Sequence, residues 1–173
     1  RDRAQLVQAF LHSGEYRADV VQADFAHYLG RSASAGELSV LTTLLGQGFS
    51  EQNLAAAVLA SGESFADRGD SFAAWIAAVY QDLDGRAATA FEAGWWAQAH
   101  ADGWSLYQIA STIVGSAEAD AHLVAVEYDQ LLGRTVDSAG MSGFLALLQG
   151  GYDWNIVPYG LAASQEYIQK HLN

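Results

Sequence analysis

The residues best placed to do chemistry in this chain are three arginines that recur in the same local setting. Arg31, Arg86 and Arg134 each follow a glycine, in the pairs Gly30-Arg31, Gly85-Arg86 and Gly133-Arg134. A guanidinium at such a position can satisfy the carbonyls of a helix end, pair with a carboxylate, or hold an external anion such as a sugar acid or a lipopolysaccharide phosphate. Carboxylates recur with it: Glu15, Glu63, Glu118 and Glu166 each close a Ser-x-Glu triplet. The expectation is internal pairing of Arg31, Arg86 and Arg134 with Glu63, Glu118 and Glu166, and Arg86 is retained as a candidate for an anionic ligand.

The aromatic residues suggest a second kind of chemistry. Trp95 and Trp96 are adjacent, so on a helix they point about 100° apart and cannot both enter one core. Trp96 aligns with Leu41 and Phe144 and is expected in the core, whereas Trp95 aligns with Val40 and Gly143 and is the better ligand platform. Tyr152, Asp153 and Trp154 form a second candidate cluster, because flat aromatic faces beside a carboxylate suit carbohydrate stacking; core packing is the competing reading.

Other combinations fall short of a site. Glu118 and His122 lie one helical turn apart, but two ligands make neither a zinc site nor a catalytic dyad, and a surface ion pair is the expectation. Asp82, Asp84 and Gly85 resemble part of a calcium loop, yet the closing glutamate is out of register, which leaves solvated helix-end carboxylates. Neither a His-Glu-x-x-His, a Gly-x-Ser-x-Gly, a phosphate-binding loop nor a Glu-x-x-His pair is present. No two acids can be placed from sequence alone at the ~5–9 Å that glycan hydrolysis needs, so no catalytic residue is assigned, a non-enzymatic protein is expected and a glycan hydrolase is the least favoured alternative. No metal site or cofactor is expected beyond weak calcium attraction to twenty acidic residues against eight basic ones.

That charge balance, a formal -12 with Lys170 as the one lysine, excludes a phosphate-neutralising nucleic-acid surface. The absence of cysteine excludes disulfides and thiolate chemistry and fits many bacterial extracellular proteins. No apolar run approaches the ~20 residues of a membrane span, so no membrane insertion is expected; no basic-then-apolar start resembles a signal peptide, and a secretion signal is expected to lie elsewhere.

The elements that position these residues follow from an internal repeat. Gly30 to Ser61, Gly85 to Ser116 and Gly133 to Ser164 each span 31 residues, while Ser13 to Gly30, Ser61 to Gly85 and Ser116 to Gly133 span 17, 24 and 17. The period is therefore 48 residues with seven inserted once, and the repeats run near 13–60, 61–115 and 116–163 with partial repeats at both ends. With one proline, Pro158, seventeen glycines and 51% hydrophobic residues over 173 positions, every boundary signal is helical.

The first helix of each repeat follows Ser-x-Glu. It carries the stripe Phe72, Trp75, Ile76, Val79, Tyr80 and Leu83, matched by Val21, Phe25 and Tyr28 and by Val124, Tyr128, Leu131 and Leu132, and it ends on a left-handed glycine. The second opens at Ser34, Thr89 or Asp137, with Glu37 and Glu92 completing capping boxes, and closes at Gly48, Gly103 or Gly151. The third is capped at Ser50, Ser105 or Asp153, with Asp2 equivalent. A staple joins Phe49, Trp104 or Tyr152 to Leu54, Ile109 or Val157, and Leu6, Phe10 and Leu11 match the apolar face that follows. The expected fold is an all-α, compact array of about three three-helix repeats in a single domain, 1–173, cut from a longer protein.

The segment Tyr128 to Gly140 (YDQLLGRTVDSAG), with His12 to Tyr16 (HSGEY) and Ser164 to Tyr167 (SQEY), resembles an uncharacterised bacterial helical repeat family. Its pattern is an aromatic, Leu-Gly-Arg, a small polar cap, a glycine and Ser-x-Glu-Tyr, and the resemblance spans essentially the whole chain. Asp84-Gly85-Arg86 and Ser61 to Ser64 depart from it, which marks repeat two as divergent. The family occurs in secreted proteins with calcium-binding glycine-rich repeats, in surface-layer proteins and in exported glycan-active enzymes, and it is distantly similar to phycobilisome linker domains. The resemblance implies a secreted or cell-surface location and an accessory role. The expected partners are an envelope or extracellular polysaccharide, a surface protein, or neighbouring domains of the same chain; a purely structural spacer is the alternative.

Overall fold

The computed structural model describes residues 3–171. Among them every regular element is helical: α1 (Arg3–Leu11), α2 (Gly14–Leu29), α3 (Ala35–Gly46), α4 (Glu51–Leu59), α5 (Gly62–Ala66), α6 (Phe72–Asp84), α7 (Ala90–Ala101), α8 (Leu106–Val114), α9 (Ala117–Glu127), which runs into a π-helical turn (Tyr128–Leu132), α10 (Ser138–Gln149), α11 (Ile156–Ala163) and α12 (Gln165–His171). The all-α reading holds.

Helix ends sit where the local chemistry demands. Ser13, Ser34, Ser50, Ser61, Thr89, Ser105, Ser116 and Asp137 each accept a backbone N–H from the residue three further on, which satisfies a donor with no partner inside the helix. Glu37 and Glu92 return the favour to the backbone of Ser34 and Thr89. Gly30, Gly85 and Gly133 end their helices at φ 64°, 66° and 62°, a left-handed conformation that side chains with a Cβ resist. The cap expected at Asp2 lies outside the described residues, as does the side chain of Leu6.

Two helix starts differ from expectation. The seven-residue insertion breaks the first helix of repeat two into α5 and α6: Gly69 and Asp70 turn the chain at positive φ, and Ser71 caps the restart. Arg68 secures this turn by donating to the Ser64 carbonyl and hydroxyl, to the Tyr28 carbonyl and to Asp82. In repeat three, α11 begins two residues late, at Ile156 after Asn155, because the Asp153 carboxylate is engaged elsewhere. It accepts N–H groups from Trp154 at 2.8 Å and from Glu51 at 3.0 Å, and so caps α4 across the molecule.

The apolar faces meet in one core that includes Val21, Leu54, Leu59, Trp75, Ile76, Ile109, Val124 and Val157. Within it Trp75 donates its indole N–H to the Leu59 carbonyl at 2.7 Å, so burial leaves no polar atom of that ring unpaired. The repeats pack through like helices: α4 lies on α8, α6 on α9, and α1 on α11. The last contact joins the leading partial repeat to the third, and the Asp153 bonds, with a Gln52 amide donating to the Tyr152 carbonyl, bring the first and third repeats together. Phe10 of α1 stays largely exposed, unlike its equivalents Val58, Ile113 and Leu161, which are buried.

Candidate functional site

Each glycine cap delivers its arginine to the same three-part clasp. Arg86 donates from Nε to Glu118 at 2.5 Å and from NH2 to Glu92 at 2.7 Å, bonds the Ala87 carbonyl through NH1, and lies 5.2 Å above the Tyr80 ring. Arg31 holds Glu63, Glu37 and the Ser32 carbonyl over Phe25 in the same way. Arg134 holds Glu166, Asp137 and the Thr135 carbonyl over Tyr128. The guanidinium hydrogen bonds pull Glu37 and Glu92 down to about 2 and raise each arginine further above its ordinary range. Arg86 is therefore saturated by internal carboxylates and is not available to an anionic ligand, a correction to its candidacy. Glu15, at the first turn of α2, is exposed and makes no such pair with a described residue.

The clasp at Arg86 anchors the start of α7, and α7 presents the candidate site. Trp96 is 7% exposed and donates its indole N–H to the Tyr80 hydroxyl at 2.8 Å, whereas Trp95 is 51% exposed. Adjacent positions on a helix thus divide between core and solvent, as their 100° separation requires. Trp95 stands at 83° to Trp96, with ring centroids 4.5 Å apart, and meets Trp104 at 6.3 Å and 75°. Trp104 is 39% exposed, so the chain entering α8 supplies the second wall.

Between the two indoles lies an open cleft of about 180 Å³ lined by Trp95, Gln98, Ala99, Asp102 and Trp104. The Gln98 amide donates to Asp102 at 2.9 Å, which orients an amide and a carboxylate at the cleft edge. His100 bonds the Trp104 carbonyl through Nδ1 at 2.9 Å and stacks on Phe72 at 4.6 Å, fixing the corner from behind. Phe91, one turn before Trp95, is 81% exposed, and Tyr107 is exposed at the start of α8. Spacing alone would have found this face, since Phe91, Trp95, Gln98 and Asp102 recur at the interval that lines one side of a helix. Trp104 occupies the staple position of the repeat pattern, and only the fold sets it at an exposed corner beside Trp95.

The other candidates separate. Trp154 is buried and donates its indole N–H at 3.0 Å to Asp120, itself buried and bonded also by the Gln149 amide, so Trp154 is a core residue and not a stacking platform. Asp153 is consumed in capping, which leaves Tyr152 as the exposed member of that trio. Glu118 belongs to the Arg86 clasp while His122 sits in a different wall, and the two form no ion pair. Asp82 pairs with Arg68 at 3.1 Å, and burial lifts Asp84 to about 6. Among the described residues no group of three or more His, Asp or Glu side chains is arranged to hold a metal ion.

The chain matches no protein-family model, no curated protein and no solved structure. Among the described residues, no helix is long and apolar enough to cross a membrane.

Proposed function

We propose that this chain is a non-catalytic interaction module of a larger secreted bacterial protein, and that it binds an extracellular or cell-envelope glycan through the Trp95–Trp104 cleft. The observation that carries this reading is the half-exposed Trp95 indole, held at right angles to Trp96, beside Trp104, Gln98 and Asp102. The apolar face of a sugar ring stacks on an indole, and the amide and carboxylate are acceptors for its hydroxyl groups. A rigid aromatic loses little conformational freedom on binding, which favours affinity from a small contact. A neutral glycan suits the -12 charge; an acidic one requires a bridging cation such as calcium.

An array of neutral polysaccharides, acidic polysaccharides and bacterial lipopolysaccharides, probed with and without calcium, tests this. Saturable binding to one glycan class that Trp95→Ala removes is the expected result. A blank array, or binding indifferent to Trp95→Ala, would move the assignment to a structural spacer or protein-assembly domain. That second reading draws support from the clasps and caps, in which the recurring Arg, Glu, Ser and Gly residues already have structural roles.

A further inference from the structure

A second cavity, of about 310 Å³, lies where the first helices of all three repeats converge, away from the Trp95 face. Its polar rim obeys the repeat: His27, Asp82 and Gln130 each stand three residues before a capping glycine, and all three line it. The π-helical turn that contains Gln130 departs from α-helical geometry at this point, a distortion that frequently accompanies functional sites. Asp24, His122, Tyr28 and Trp154 supply further wall.

The electrostatics of the cavity favour positive charge. No Lys or Arg lines it. The last turns of α2 and α6, with the negative ends of their dipoles, contribute His27, Tyr28, Asp82 and Leu83. Asp82 already has Arg68, but Asp24 has no such partner: its Oδ2 is shielded from solvent and makes no hydrogen bond. A shielded carboxylate oxygen without a donor is destabilising, and native structures rarely leave one so. Tyr28 and Trp154 add aromatic wall, which attracts cations as well as apolar groups.

We propose that this cavity is a binding site for a small organic cation, an alkylammonium group whose N–H donors engage the Asp24 carboxylate while its carbon chain lies against Tyr28 and Trp154. The site is independent of the glycan reading and can fail or succeed without it.

The test is a titration of the ¹⁵N-labelled full chain with butylammonium chloride, with 1-butanol as the neutral analogue of the same shape and with sodium chloride at matched ionic strength. Expected are saturable shifts confined to the Trp154 indole N–H and the amides of Asp24, His27 and Gln130. Neither 1-butanol nor sodium should reproduce them, and Asp24→Asn should weaken binding about tenfold or more. Equal shifts with 1-butanol would make the site merely apolar and overturn the proposal. Shifts spread without a plateau over the acidic surface would overturn it too, as would undiminished binding by Asp24→Asn. The comparison of butylammonium with 1-butanol in the unaltered protein decides the matter even where the variant fails to fold.

Discussion

Repeat two and repeat three build the same frame and cover it differently. Arg86 and Arg134 each hold the next repeat's glutamate, Glu118 or Glu166, from Nε and a terminal nitrogen, though the second carboxylate is Glu92 at 2.7 Å in one and Asp137 at 3.4 Å in the other, and Gly85 and Gly133 cap their helices at nearly the same φ. Yet where α7 carries Phe91 and Trp95, α10 carries Ala139 and Gly143, and Trp104 is answered by Tyr152. Repeat one offers Gly36, Val40 and Phe49 at those positions. The conserved frame handles folding, so the surface of each repeat is free to diverge, and recognition is best sought where one repeat has acquired what its neighbours lack.

The sharpest way to break this comparison is to exchange adjacent tryptophans. Trp96→Ala removes a buried ring and its bond to Tyr80 and should cost about 3–5 kcal/mol in denaturant unfolding. Trp95→Ala should cost about 1 kcal/mol or less. Equal losses would show that Trp95 is structural and remove the basis for a separate surface.

The capping glycines probe whether repeat two tolerates less than repeat one. A Cβ at Gly85 would come within 2.5 Å of the His122 ring in addition to its left-handed strain, and Gly85→Ala should cost about 2–3 kcal/mol. At Gly30 the space is open, so Gly30→Ala should cost about 1 kcal/mol, from backbone strain alone. Thermal unfolding at one pH measures both.

The joint between repeats one and three has a different dependence. Burial, with Asp153, Asp24 and Glu127 nearby, raises Glu51 from 4.5 to about 8 despite the Tyr16 hydroxyl that donates to it at 2.9 Å. The folded state thus prefers a neutral Glu51. This contribution is complete below pH ~4.5 and is lost as the pH rises through about 8. Glu51→Gln should therefore stabilise the protein by about 1–3 kcal/mol at pH 9, with little gain at pH 4. Chemical denaturation at both values checks it; an equal effect at the two would place the Glu51 carboxyl in solvent.

Smaller effects concern the face itself. Trp95→Ala should weaken glycan binding about tenfold or more. Gly143→Trp on α10 should create no binding, since Tyr152 and Asp153 there do not form a Trp104-like corner. Smallest of all, Arg31→Lys and Arg86→Lys should lower thermal stability slightly and alike, more so at low salt, because these clasps are solvent-exposed. Unequal losses would mean that the frames themselves differ.

Much of this could be read without coordinates. The caps at Ser34, Thr89 and Ser105, the left-handed ends at Gly30, Gly85 and Gly133, and the split between Trp95 and Trp96 are properties of neighbours along the chain. Hydrogen bonds of three or four residues' reach and a 100° step are enough to specify them. The Arg–Glu clasps, though 32 residues apart in sequence, were legible because their spacing recurs.

What sequence could not supply were relations that occur only once. That Asp153 would cap α4 at Glu51, that Trp154 would turn inward to Asp120, and that Trp104 would meet Trp95 each required knowing which helix packs on which. The sequence alone therefore determined the helices, their ends and the repeating clasps, because those interactions are short in range or periodic. Only the tertiary structure decided which aromatics face water and where Asp24 is left without a partner, because burial depends on how three similar units meet and not on the residues beside each one.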